Sequence, residues 1–356
     1  MAPSLAGTRR DHGDAPHVPV IERATVAAVL AGVTLALLDA PLTPRSAAPS
    51  RRPREDATRS ACEGARDATP EALFYELRAG AFPGSARPDV AVHVPRGFDA
   101  TQRPGLVVYF HGWEGCVAAA LSPDDTPCTD AGMPRPGADL ASEFDAAGVN
   151  ALLVAIELRS DMPTGEPGKL AMPAGLRDLL RELFAEHLAA PLGCTLDVDA
   201  LDRVVLVAHS GGYQAAASAL ATGDVAVTEV DLLDALYGAD DVFSHWIASQ
   251  APRFDPSVNN PLRLVDLYTC CGGTAERSRA LAQRSSDLLV GAGLSQAFAD
   301  DDRESPLQPG ALAHGVVFKR VSGPHGSLPH TYFRELVQAA GFAHIENYPS
   351  HPLRPK

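Results

Sequence analysis

The chain has 356 residues, of which 46% are hydrophobic and 21% are charged, and its formal net charge is −14. This composition excludes a wholly disordered chain, and the acidic balance argues against a surface that binds nucleic-acid phosphates. The sequence contains no Gly-rich phosphate loop, zinc-ligand spacing or EF-hand pattern, so we expect neither a cofactor nor a metal ion.

The N-terminal part of the chain differs from the rest. Residues 24–38 form an uncharged apolar run that is short for a bilayer span and typical of the hydrophobic region of a signal peptide. We interpret residues 1–40 as a signal peptide or short N-terminal anchor, which would be the only membrane contact and predicts a secreted or periplasmic protein. Residues 41–70 are rich in Pro, Ala and Arg and are interpreted as a flexible linker, so the folded domain is residues 71–356.

Within the domain, apolar runs typical of buried strands alternate with segments of helical character. The predicted strands are residues 89–94, 106–110, 150–158, 204–208, 230–238, 262–269 and 316–321. The predicted helices are residues 138–146, 174–189, 215–221, 241–250, 278–293 and a segment beginning near Pro329. This alternation predicts a single α/β domain with a mostly parallel central sheet and helices on both faces.

The predicted strand at 106–110 runs into a turn, His111-Gly112-Trp113, and then into a loop bounded by two cysteines. A disulfide between Cys116 and Cys128 would close a loop of about 13 residues and stabilise the fold by roughly 3 kcal/mol. The pairing of the other four cysteines stays open, because six cysteines allow many connectivities.

The apolar run 204–208 leads directly into His209-Ser210-Gly211-Gly212, and an Ala-rich helical segment follows. A serine with small residues two positions before it (Ala208) and two after it (Gly212) is the nucleophile-elbow pattern. The small residues are needed because the tight turn brings the strand and helix backbones together. The alternative is a Ser-Gly-Gly turn with no chemical role.

This Ala-His-Ser-Gly-Gly sequence resembles the elbow of secreted bacterial esterases and lipases of the α/β-hydrolase superfamily. The resemblance implies a single α/β-hydrolase domain in which Ser210 is the nucleophile. It also implies an oxyanion hole of two backbone N–H groups, one from Gly211 and one from the turn after the strand at 106–110. For the second donor we favour Trp113 over Gly112.

A serine hydroxyl needs a base to take its proton. The superfamily carries its catalytic histidine in the loop after the last strand, where this chain has Ser322-Gly323-Pro324-His325. We therefore favour His325 as the base. His330, at the start of the next predicted helix, is the alternative.

The superfamily order of serine, acid and histidine confines the third triad member to the stretch between residues 211 and 324. Asp234 lies near the end of an apolar run, where an unpaired carboxylate would be costly to bury, and is our preferred acid. Glu276, in a Gly-Gly-Thr-Ala loop after the next strand, is the alternative. Asp266 is disfavoured because it lies in the middle of a predicted strand.

These residues predict a secreted serine hydrolase that cleaves a small-molecule carboxylic ester through a Ser-His-Asp triad and an acyl-enzyme. An amidase or peptidase of the same fold is one alternative. A hydrolase-like binding module without activity is another, because Ala208 replaces the usual first glycine of the elbow. Substrate identity and oligomeric state stay open at this stage.

Overall fold

The structure is a computed structural model that describes residues 72–128, 134–271 and 273–345. The predicted signal or anchor at 1–40 and the linker at 41–70 lie outside these residues. None of the helices in these ranges has the length and hydropathy that a membrane span requires.

The described residues contain a main sheet of nine strands and a separate two-stranded ribbon. In chain order the strands are β1 (Ala72–Tyr75), β2 (Val90–His93), β3 (Gly105–Phe110), β4 (Thr126–Pro127), β5 (Pro134–Arg135), β6 (Ala151–Ile156), β7 (Val204–His209), β8 (Glu229–Leu233), β9 (Arg263–Tyr268), β10 (Phe298–Asp301) and β11 (Val316–Arg320). The order across the main sheet is β1-β2-β6-β3-β7-β8-β9-β11-β10, and β4 pairs with β5.

Most neighbouring strands of the main sheet run parallel. The exception is β2, which is antiparallel to both of its neighbours, β1 and β6. The central strands β3 and β6 are fully buried along their whole length. This burial follows from their composition, since a strand covered on both faces must be apolar on both. The predicted mostly parallel sheet is confirmed.

Helices cover both faces of the sheet. In chain order they are α1 (Val117–Leu121), α2 (Leu140–Ala147), α3 (Gly175–Glu182), α4 (Ala189–Leu192), α5 (Tyr213–Thr222), α6 (Asp240–Ser249), α7 (Ala275–Gly291) and α8 (Leu328–Ala339). One core cluster lies between the sheet and helices α3 to α7, and a second lies between the sheet and α1, α2 and α8. The predicted two-faced α/β arrangement is therefore confirmed.

One predicted strand ends earlier than its apolar run suggests. The run at 230–238 predicts a strand that includes Asp234, but β8 ends at Leu233. Asp234 has a φ of 48°, which lies in the left-handed region and cannot continue a strand. Ala235 and Leu236 are nevertheless buried in the core, so the apolar run continues into a buried loop. Asp234 thus stands just beyond the carboxyl end of β8.

Two disulfides join described cysteines. The predicted bridge between Cys116 and Cys128 is confirmed, with a Cα–Cα distance of 5.3 Å. The second joins Cys270 to its chain neighbour Cys271, a pairing that the sequence leaves open. Cys194 is disulfide-bonded as well.

Candidate active site

The carboxyl ends of neighbouring parallel strands bring the predicted site residues to one edge of the sheet. The turn with Gly112 follows β3, Ser210 follows β7 and Asp234 follows β8. His325 lies in the loop after β11. In open α/β sheets, ligands bind at this edge.

Ser210 stands on a sharp turn between β7 and α5. Its φ of 52° lies in the left-handed region, a strained conformation for a side chain with a Cβ. A Cβ at Gly212 would lie 2.4 Å from the carbonyl oxygen of Phe110, and one at Gly112 would lie 2.7 Å from the Cβ of Ser210. Both contacts are too close for any side chain, so the turn requires glycine at these two positions.

A loop between β6 and α3 packs against the elbow from the other side. A Cβ at Gly211 would lie 2.4 Å from the carbonyl oxygen of Pro163, and one at Gly165 would lie 2.4 Å from the carbonyl oxygen of Gly211. Gly165 also has a φ of 53°. Backbone therefore packs directly on backbone here, and the elbow is held between the β3 turn and this loop.

Ser210, His325 and Asp234 form a continuous chain of hydrogen bonds. The Oγ of Ser210 lies 2.8 Å from Nε2 of His325. The Nδ1 of His325 lies 2.8 Å from Oδ2 of Asp234. The His325 side chain is 35% exposed, whereas the Asp234 side chain is fully buried. A substrate can therefore reach the serine and the imidazole but not the carboxylate.

The alternatives weighed from the sequence do not join this chain of bonds. Glu276 is exposed in the first turn of α7, where it is a helix-start carboxylate. His330 is exposed on α8. Asp266 is buried in the middle of β9, and burial raises its pKa to about 7. Of the candidate acids, the structure brings Asp234 to His325.

The buried carboxylate of Asp234 is surrounded by donors. Oδ1 accepts hydrogen bonds from the Thr269 N–H, at 3.2 Å, and from the Thr274 hydroxyl. Oδ2 accepts from the Thr269 hydroxyl at 2.6 Å, in addition to His325. Burial alone would raise the pKa of Asp234, but the bonds from His325, Thr269 and Thr274 outweigh it and lower the pKa from 3.8 to about 2. The acid is therefore ionised at neutral pH.

Two backbone amides near Ser210 are available as donors. Within the described part of the chain, neither the Trp113 N–H nor the Gly211 N–H donates a hydrogen bond to another backbone group. The Gly112 carbonyl accepts from Nδ1 of His111 at 2.8 Å and from the Gly115 N–H at 3.1 Å. Because the Gly112 carbonyl and the Trp113 N–H belong to one trans peptide, these bonds direct the N–H to the opposite side.

His111 connects this turn to the neighbouring strand. Its Nε2 accepts a hydrogen bond of 2.9 Å from the Leu158 N–H, which requires the neutral ring with the proton on Nδ1. The ring is 4% exposed. The sequence indicates His111 only as part of the His-Gly turn. Its hydrogen bonds to Gly112 and Leu158 depend on the alignment of β3 with β6.

His209, directly before the serine, contacts the backbone of the His325 loop. Its Nε2 donates to the His325 carbonyl at 3.1 Å. Burial and the nearby His325 lower the pKa of His209 from 6.5 to about 4, so it stays neutral. Thr269 and Thr274 were not predicted as site residues. The feature that could have indicated them is their position after β9, the strand that pairs with β8.

A cavity of about 300 Å³ adjoins the turn that follows β3. The Ser160 carbonyl on its wall accepts a hydrogen bond of 2.9 Å from the Glu114 N–H. Its lining includes Phe82, Arg87, Glu157, Arg159, Ser160 and Asp161. Trp113, on the same turn as Glu114, is 54% exposed.

One group of potential metal ligands occurs among the described residues, away from the serine. It consists of Glu182, Glu186 and His187. The Glu182 carboxylate already accepts from the Arg78 and Ala79 N–H groups, so it is satisfied without a metal ion.

No family model and no curated protein matches this chain. Among solved structures, a mutant of the feruloyl esterase module from Clostridium thermocellum, complexed with sinapinate, is 10% identical, with 86% of this chain and 96% of that chain covered and a TM-score of 0.47. A thermostable esterase is 14% identical, with 74% and 60% covered and a TM-score of 0.42. A ferulic acid esterase from Anaeromyces mucronatus is 11% identical, with 80% and 94% covered and a TM-score of 0.41.

Because these sequence identities are low, we assign the fold from the geometry of the chain itself. The serine stands on a sharp strand-to-helix turn at the carboxyl edge of a mostly parallel sheet. The residues at its hydrogen-bonded site follow in the chain order serine, aspartate, histidine. Sheet, turn and chain order together are those of the α/β-hydrolase fold, and this chain is an α/β-hydrolase-fold protein.

Proposed function

We propose that this protein is a serine hydrolase that cleaves a carboxylic ester through an acyl-enzyme. The observation that carries the proposal is the chain of two 2.8 Å hydrogen bonds from Ser210 through His325 to Asp234. A nucleophile, a base within reach of its proton and a carboxylate that orients the base are the parts that acyl transfer requires.

The first half of the reaction forms the acyl-enzyme. Ser210 Oγ attacks the carbonyl carbon while Nε2 of His325 takes the hydroxyl proton. The carboxylate of Asp234 keeps the other ring proton on Nδ1 and stabilises the positive imidazolium. His325 then gives the proton to the departing alcohol oxygen as the ester bond breaks. In the second half, water replaces the serine as nucleophile and the same proton transfers release the acid.

The developing oxyanion needs donors that are already in place. We propose the Gly211 and Trp113 amides for this role, since neither donates elsewhere within the described backbone. Each such donor is worth about 2.7–4 kcal/mol of the activation barrier in a related setting. His111 supports this role by holding the Gly112 carbonyl and thus the Trp113 peptide plane.

We further propose that the substrate is a small-molecule ester and that the protein works outside the cytoplasm. The cavity of about 300 Å³ beside the Trp113 turn is of a size that suits a small acyl or alcohol group. The Cys116–Cys128 and Cys270–Cys271 disulfides favour a secreted or periplasmic protein, because such bonds persist in oxidising compartments.

A fluorophosphonate probe tests the proposal directly, because it reacts with a serine that a base has activated. The wild-type chain should be labelled at Ser210, and Ser210→Ala should abolish both labelling and ester turnover. A panel of esters and matching amides then separates an esterase from an amidase. Labelling that survives in Ser210→Ala would overturn the assignment of the nucleophile. Absence of labelling in the folded wild type would favour a binding module instead.

A further inference from the structure

The disulfide between Cys270 and Cys271 lies directly beside the donors that hold the triad acid. Both cysteines are exposed, and they follow Tyr268, the last residue of β9, by two and three positions. Thr269 comes immediately before them. Thr274, the residue before α7, comes shortly after them.

Both flanking threonines point their donors at Asp234. Thr269 gives its N–H and its hydroxyl, and Thr274 gives its hydroxyl. Among the described residues these are the hydrogen bonds that the Asp234 carboxylate accepts besides its bond to His325. Thr269 is 4% exposed and Thr274 is fully buried, so solvent water does not replace their hydrogen bonds. The orientation of the carboxylate thus depends on the backbone at both ends of this segment.

A bond between neighbouring cysteines constrains that backbone in a particular way. It closes a small ring that contains the peptide bond between the two residues, so ψ of Cys270 and φ of Cys271 lose their freedom just after Thr269. The same bond closes the shortest possible loop and therefore restricts the unfolded chain very little. The Cys116–Cys128 bridge, with a sequence separation of 12, restricts the unfolded chain much more. The effect of the neighbouring pair is therefore expected to be local.

We propose that the Cys270–Cys271 disulfide is a positioning element for the triad, and that reducing it to two thiols lowers turnover while the domain stays folded. The inference rests on the proposed function, because positioning Asp234 matters only if Ser210 is the nucleophile. The two cysteines are positioning residues, since they act on the reaction through Thr269 and Thr274.

The reduction balances with a dithiol as the reductant. One thiolate of the dithiol attacks a sulfur of the pair, and the bond between the two cysteine sulfurs breaks as a mixed disulfide forms. The second thiol of the reductant displaces the remaining cysteine. Two electrons and two protons pass to Cys270 and Cys271, and the dithiol becomes a cyclic disulfide. The exposed pair is open to this attack, whereas Cys116 is 3% exposed and Cys128 is fully buried.

The first experiment replaces both neighbours, as Cys270→Ser with Cys271→Ser, and compares kcat, KM and Tm for a soluble nitrophenyl ester. We expect kcat to fall by about 10- to 100-fold with KM and Tm nearly unchanged, because small misplacements in a catalytic array cost up to about 10² in rate. The matched control, Cys116→Ser with Cys128→Ser, should instead lower Tm. A variant of the neighbouring pair with wild-type kcat would overturn the proposal.

A second comparison separates positioning from a general structural effect. The same double replacement is made in an Asp234→Asn background, where there is no carboxylate left to orient. If the disulfide acts through Asp234, its removal should change the residual kcat by less than about twofold there. An equal loss in both backgrounds would contradict the proposal.

Reduction of the wild-type chain serves as an independent test, also in case the variant does not fold. Dithiothreitol is added under native conditions until alkylation and peptide mapping show free thiols at Cys270 and Cys271 with Cys194 still disulfide-bonded, and kcat is followed during reduction and after reoxidation. Turnover should fall with the appearance of the thiols and return when they disappear. Full turnover with two thiols present would refute the inference. If Ser210→Ala is still labelled by the fluorophosphonate, it is the proposed function that fails.

Discussion

Replacing Asp234 with asparagine tests the proposed triad at its buried acid. The hydrogen-bond donors around Asp234 determine which way the amide of an asparagine at this position would be oriented. If the NH₂ group takes the place of Oδ1, it faces the Thr269 N–H, a backbone donor that cannot rotate away. If it takes the place of Oδ2, it faces the Thr269 hydroxyl, which can rotate to accept, and the Nδ1 of His325. The second arrangement avoids the clash of two donors and is the one we expect.

That arrangement forces the imidazole of His325 into the wrong tautomer. With an amide NH₂ donating to Nδ1, the ring proton moves to Nε2, which then cannot take the proton of Ser210. In a serine triad this change lowers kcat by about 10⁴. A factor of that size corresponds to roughly 5 kcal/mol in the activation barrier. KM should change little, because the buried carboxylate does not contact the substrate.

The assay is steady-state hydrolysis of a soluble nitrophenyl ester, with the Tm of each variant measured alongside. Glu276→Gln is the matched control, because it neutralises the exposed acid that the sequence left as the alternative. It should retain the turnover of the wild type. An Asp234→Asn variant that keeps more than about a tenth of wild-type kcat, or a Glu276→Gln variant that loses it, would refute the reasoning.

Three further outcomes are expected. Because the pKa of Asp234 is lowered from 3.8 to about 2 in the folded chain, its ionised form contributes about 2 kcal/mol to the free energy of unfolding above about pH 4. That contribution is lost as the pH falls towards 2, so urea unfolding curves should show wild type converging on Asp234→Asn in acid. Gly212→Ala places a Cβ 2.4 Å from the Phe110 carbonyl oxygen and should lower stability by about 1–3 kcal/mol, read as a lower Tm. His111→Gln removes the His111 bond to the Gly112 carbonyl, leaving only that from the Gly115 N–H, and should lower kcat about tenfold to hundredfold at constant KM; an unchanged kcat would contradict the proposal that His111 holds the Trp113 amide in place.

The sequence predicts the centre of this fold better than its margins. Strands such as β3 and β7 are buried on both faces, so their residues are apolar throughout and stand out in the chain. The margins do not stand out. The edge strand β10 is half exposed and ends in two aspartates, and β1 exposes Phe74. Edge strands with such mixed sequences look like loops, and both were missed together with the short helix α1.

The site likewise contains residues that the sequence predicts and residues that it does not. The elbow pattern and the chain order predict which serine, acid and histidine should meet, and the structure brings these three side chains within hydrogen-bonding distance. The donors around Asp234 could not be predicted, because they depend on the register of β8 and β9. Leu233 is paired with Leu267 in that register, so Asp234 comes beside Thr269. The early end of β8 was missed since the apolar residues continue into a buried loop.

The backbone-on-backbone packing around the elbow has a consequence for attempts to change the substrate range. Gly165 and Gly211 each lie against a carbonyl oxygen, of Gly211 and Pro163 respectively, so randomising either codon would mostly yield chains that fail to assemble the turn. Trp113 is the opposite case, because its indole is 54% exposed and only its amide has a role in the proposed oxyanion hole. We therefore expect a library of variants at position 113 to test changes in substrate range while most of its members still fold.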